Sequence, residues 1–125
     1  MKNFVFTFAL SLVLSAGAFA QSGAQSGTAS IDTRVTTVTR NMANELGLNE
    51  LEYIKLRALN REHFTKQREI TSMYSNDMSM RDMKMTELNN AYEAQLNSFL
   101  NPKQMEAYAS YKENSANYTA LTGEE

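Results

Sequence analysis

The chain reads as all-α, and three features carry that reading. Apolar residues recur at three- and four-residue intervals along most of its length. Helix-start chemistry stands at two well-separated points, and 125 residues contain one Pro and five Gly. Three- and four-residue spacing gathers apolar side chains on one helical stripe. So few turn residues argue against a β-sandwich. The length suits a single small domain.

The first element is a leader. Met1-Lys2-Asn3 carries one positive charge, Phe4 to Leu14 is broken only by Thr7 and Ser11, and Ala18-Phe19-Ala20 follows. A charged start, a short apolar middle and an A-x-A end are the parts of a secretory signal peptide. The run is too short for a comfortable membrane span, which takes about 20 residues. Residues 1–20 are therefore expected to be cleaved, with no stable membrane span left afterwards and the protein released into the periplasm. The remaining chain carries a net charge of about −3 once Lys2 is gone. Residues 21–30 are small, polar and repetitive, the composition of a disordered leader.

The helical domain is expected over residues 31–118. Ile31, Val35, Val38, Met42 and Leu46 form one stripe, and Gly47 is placed to stop that helix. Asn49 and Glu52 form a capping box, with Leu48 and Tyr53 at the positions of a hydrophobic staple. No Pro or Gly interrupts the chain from there to Met78, so a second helix can be long, with Leu56, Leu59, His63, Ile70, Met73 and Tyr74 on its inner face. Ser75-Asn76-Asp77 is the natural break. Ser79 and Asp82 offer a cap for a third helix, whose stripe is Met85, Leu88, Tyr92, Leu96 and Phe99. Asn101 as cap, Pro102 at the first helical position and Gln104 closing a second box start a fourth helix. Its inner side is Met105, Tyr108, Ala109 and Ala116, and residues 119–125 read as a flexible tail. The two central helices are expected to be the long ones and to form a hairpin. A hairpin covers only part of its apolar surface, so a second copy in a homodimer is expected to cover the rest.

The two start motifs, Leu48-Asn-Glu-Leu-Glu52 and Leu100-Asn-Pro-Lys-Gln104, stand 52 residues apart. They resemble the paired LTxxQ motifs of the Spy/CpxP-like periplasmic proteins. Asn replaces Thr in both copies and Glu replaces Gln in the first, and all these replacements preserve the capping function. The resemblance implies a cradle-shaped helical dimer involved in envelope stress. Members of that family include an ATP-independent chaperone, an inhibitor of a sensor kinase and metal-responsive relatives. It gives Leu48, Asn49, Glu52, Leu100, Asn101 and Gln104 structural roles.

Composition excludes several chemistries. Without Cys there is no disulfide, zinc knuckle or thiol nucleophile. One His rules out a multi-His metal centre within a single chain. A net charge of −2 lacks the basic excess of a nucleic-acid binder, so no nucleic-acid partner is expected. No nucleophile–base pair or phosphate loop is present, and the chain is read as a non-enzyme without a cofactor.

Three features remain. Arg57, Arg61 and Arg68 share one flank of the second helix with Tyr53 and Phe64. Such a face suits loose binding of unfolded or envelope polypeptides, by apolar and cation–π contact together with electrostatic steering. It is equally a solvated face with the aromatics tucked under a neighbouring helix. Met78, Met80, Met83 and Met85 include two M-x-M pairs that could favour Cu(I) in a metal-binding envelope stress protein. They also suit adaptable packing or client contact, the favoured reading. A regulator docking a single sensor partner is the remaining alternative. His63, alone on an apolar face, reads as packed rather than metal-bound.

Overall fold

The computed structural model describes residues 22–114, with side chains from Ser30 onward. It consists of four helices: α1 Ser22–Leu46, α2 Glu50–Met73, α3 Met78–Phe99 and α4 Pro102–Glu113. No strand occurs among the described residues, so the fold is all-α. Helix α1 packs on α2 and α4, and α2 packs on α3. The leader at 1–20 and the tail at 119–125 lie outside the described residues, as does Ala116.

Each junction follows from local chemistry. Gly47 adopts φ 63°, and the Leu48 amide donates to the Ala43 carbonyl at 3.0 Å. That is the six-to-one bond of a Schellman ending, which a residue without a Cβ permits most cheaply. Asn49 then accepts from the Glu52 amide, while Glu52 accepts from the Asn49 amide, both at 2.9 Å. Asn101 and Gln104 repeat this box at the start of α4, with Pro102 at the first position. Both sequence-derived capping boxes are present. The two boxes also meet, because the Gln104 Nε2 donates to Glu52 Oε2 at 2.9 Å. One carboxylate thus serves the N-termini of α2 and α4, where helix dipoles favour negative charge.

Three boundaries differ from expectation. Helix α1 begins at Ser22 rather than Ile31, so it spans 25 residues and the first helix is not a short one. The backbone of 22–30, expected to be disordered, is helical. Once 31–46 is packed, each further turn is propagation, far cheaper than nucleation. Helix α2 ends at Met73, and the break begins at Tyr74. The cap of α3 is Asp77 rather than Ser79: its carboxylate accepts from the Met80 amide at 3.0 Å, satisfying a first-turn donor two residues earlier.

The core joins Val35, Val38, Met42 and Leu46 of α1 to Leu56, Leu59 and Phe64 of α2. Tyr92 and Leu96 of α3, Leu100, and Tyr108 and Tyr111 of α4 complete it. The α1 stripe is the expected one, with Ile31 at its partly buried edge. On α2 the buried set is Leu56, Leu59, Asn60, His63, Phe64 and Gln67. Ile70 and Tyr74 are only half-buried and Met73 is 72% exposed. On α4, Tyr111 is buried and Ala109 is exposed.

A polar network runs through this core. Tyr92 donates its hydroxyl proton to Asn60 Oδ1, and Asn60 Nδ2 donates to Thr39 Oγ1 at 2.9 Å. Three helices are thereby fixed in register by groups fully withdrawn from water. Burial pushes the Tyr92 phenol well above its ordinary range, so it stays a donor.

Candidate functional site

The flank where α2 lies against α1 carries the arginines singled out by the sequence. A groove of about 560 Å³ is lined by Thr36 and Arg40 of α1 with Tyr53, Ile54, Arg57, Ala58 and Arg61 of α2. Tyr53 is half-buried at the start of this groove, and Arg57 and Arg61 are exposed. Ile54 is 56% exposed, a large apolar surface set among guanidinium groups. No carboxylate lines the groove. Arg61 Nη2 does reach Asp32 of α1 at 2.7 Å. Both side chains are half-exposed, so the pair orients Arg61 without contributing much stability.

Positive charge continues along the α1–α2 edge. Arg68 is exposed and lies further along α2, in a second cleft shared with Arg34 of α1. Arg40 and Arg34 were not among the sequence-derived candidates. The available signal was their six-residue separation in α1, which alone does not place them beside the arginines of another helix.

Phe64 is a correction. Proposed as a client-contacting residue, it is 2% exposed and belongs to the core. The Arg34 guanidinium sits 4.3 Å above its ring, covering it from the α1 side. Of the five proposed binding residues, Tyr53, Arg57, Arg61 and Arg68 remain on the surface.

His63 is buried behind this edge. Its Nε2 pairs with Asn89 Oδ1 at 3.0 Å, while Nδ1 has no hydrogen-bond partner. The ring lies 4.7 Å from that of Tyr92. Desolvation lowers its pKa below the ordinary histidine value; the Asn89 bond opposes this, and the positive charge of Arg34 adds to it. A neutral imidazole donating from Nε2 fits these surroundings.

The methionines around the α2–α3 turn lie outside the core. Met73, Met78 and Met83 are exposed, and Met80 and Met85 half-buried, around the turn from α2 to α3. Both M-x-M pairs fall within α3, where residues two apart do not share a face. That geometry prevents either pair from chelating one ion from a single helical face. Among the described residues no group of three or more His, Asp or Glu is arranged to hold a metal ion. No described helix is long and apolar enough to cross a membrane.

Comparison with protein families gives one match. The domain of unknown function DUF4890 matches residues 20–108, from just before α1 to buried Tyr108 of α4. The chain belongs to the DUF4890 family. The matched span includes both capping boxes, their Glu52–Gln104 link and every residue of the arginine-lined groove. No curated protein and no solved structure matches the chain.

Proposed function

We propose that this DUF4890 protein is an exported, non-enzymatic, polypeptide-binding protein of the periplasm, acting in envelope stress as Spy/CpxP-like chaperones do. The observation that carries this reading is the α1–α2 groove, where Arg40, Arg57 and Arg61 surround Tyr53 and exposed Ile54 with no carboxylate in the lining. Long-range attraction brings an acidic, partly unfolded chain to such a surface. Apolar and cation–π contacts then hold it loosely and without sequence demand. The meeting of the two motif boxes through Glu52 and Gln104 gives those motifs a structural role consistent with the resemblance. The active form is taken to be a homodimer of α2–α3 hairpins, in which a second copy covers apolar surface such as Met73 and Met78. Sedimentation of residues 21–125 should then show a two-chain particle.

Aggregation of an acidic client, followed by light scattering, tests the groove. Arg40→Ser with Arg57→Ser should leave the fold intact and weaken protection, most at low salt where charge is unscreened. Equal protection by variant and wild type at every ionic strength would reduce the groove to a solvated helix face. Capture of one stoichiometric envelope partner, rather than many weakly held chains, would assign the surface to a regulator.

A further inference from the structure

The α1–α2 groove continues past Tyr53. A further hollow of about 480 Å³ shares Arg40 and Tyr53 with it and adds Leu48, Asn49 and Glu50 at the junction of the two helices. The combined trough has a direction. Arg57 and Arg61 stand at one end, Tyr53 and exposed Ile54 in the middle, and Glu50 at the other end as the one carboxylate among the described residues of the lining. Arg40 and Arg57 enter no ion pair with a described residue. An occupant that fits is apolar first and acidic after.

The chain itself contains such a segment. Residues 115–125, outside the described residues, place Tyr118, Ala120 and Leu121 before Glu124 and Glu125 and contain no Lys or Arg. The exit of α4 is at the right level. Lys112 in its last turn pairs with Glu93 at 2.7 Å, and the adjacent Tyr92 reaches Asn60 and, through it, Thr39. In sequence, Thr39 lies between the groove residues Thr36 and Arg40, and Asn60 between Arg57 and Arg61. Helix α4 packs on α1, one wall of the groove, so the segment has one helix to cross, about 10–12 Å wide. From Asn114 to Leu121 the chain can extend up to about 24 Å.

We propose that residues 118–125 fold back into this groove, with Leu121 against Ile54 and with Glu124 and Glu125 at Arg57 and Arg61. The registers agree: three extended residues from Leu121 to Glu124 cover about 10 Å, as do seven helical residues from Ile54 to Arg61. A tethered segment meets its site at an effective concentration on the order of millimolar. Loose contacts therefore fill the groove, and a client binds by displacing them. The inference rests on the polypeptide-binding reading of the groove and adds its regulation: the chain is its own first client.

The sequence has no Cys and three Ile, at 31, 54 and 70, which makes a direct test simple. A nitroxide on the full chain at Thr122→Cys should broaden the Ile54 methyl signal strongly and the Ile70 signal little. Glu124→Gln with Glu125→Gln should reduce that broadening by at least about half, as should Tyr118→Ser with Leu121→Ser, because each pair removes one of the two kinds of contact. Mixing spin-labelled chains with isotope-labelled chains that carry no nitroxide should leave Ile54 sharp. The charge-neutral pair Tyr118→Ser and Leu121→Ser should also improve client protection. If half the grooves are filled at rest, emptying them raises apparent client affinity about twofold. Equal broadening of Ile54 and Ile70, broadening indifferent to both pairs, or client protection unchanged by the neutral pair would each overturn the proposal. Broadening in the mixture would also overturn it, by assigning the groove to the segment of a second copy. The relaxation measurement contains no client. It therefore judges the segment separately from Arg40→Ser with Arg57→Ser, whose unchanged protection would remove the polypeptide-binding reading itself.

Discussion

The two halves of helix α2 are held in different ways. From Leu56 to Gln67 six side chains are buried, three of them polar, against α1 and α3. From Arg68 through Ala91, across the turn and most of α3, no residue is buried. The proximal half is fixed by packing, by the Thr39–Asn60–Tyr92 network and by two linked capping boxes. The distal half relies on its own backbone hydrogen bonds, the Asp77 cap and partial contacts between α2 and α3. Helical structure and tertiary anchoring are therefore separable here. Opening free energy should fall along α2 towards the methionines, since low contact density and exposed backbone bonds mark the least stable units of a fold.

Truncation in each half is the strongest way to break this comparison. Phe64→Ala should cost about 3–5 kcal/mol, as for a core aromatic. Leu88→Ala, at a half-buried distal site, should cost less than half as much. Urea unfolding of both variants gives the two values, and similar losses would mean that the distal half is as tightly anchored as the core. The capped end offers the next effect. Asn49→Ala should lose about 1 kcal/mol. A double-mutant cycle between Glu52→Ala and Gln104→Ala should show non-additive losses, because one bond joins the two boxes.

A smaller, pH-dependent effect comes from His63. Its pKa is lowered in the folded state, so between the folded value and the ordinary 6.5 the unfolded chain binds more protons. The stabilisation is complete above about 6.5 and is lost as the pH falls from there through the folded value. Thermal melts between pH 8 and 5 should show this decline, and His63→Gln should flatten it. The smallest change is expected at the exposed methionines. Met73→Ser and Met78→Ser should alter monomer stability by no more than about 0.5 kcal/mol, measured below the concentration at which copies associate.

Capping was legible in the sequence because it is local. Asn49 with Glu52, Asn101 with Gln104 and Gly47 fulfil their roles through neighbours a few residues away. The α1 stripe was equally plain, since four of its five members are buried hydrophobics. The face of α2 was less so. Its centre lies between Leu56, Asn60, His63 and Gln67, and a count of apolar residues alone treats Asn60 and Gln67 as surface. That displacement put Phe64 outside and Met73 inside. Asn60 is buried because Thr39 and Tyr92, 21 and 32 residues away, satisfy it, and no local window contains that information. The binding edge was half legible for the same reason: the arginines of α2 are visible as a row, whereas Arg34 and Arg40 join them only through the packing of α1.

The Glu52–Gln104 bond has one more consequence. Together with Asn60–Tyr92 and His63–Asn89, it fastens everything before the turn at Tyr74–Asp77 to everything after it. The covalent connection through that exposed turn is thus one of several ties, and the one furthest from the core. A protease nick between Ser75 and Asn76 should leave two fragments that travel together through gel filtration. Expressed as separate pieces, they should find each other and rebuild the helical assembly.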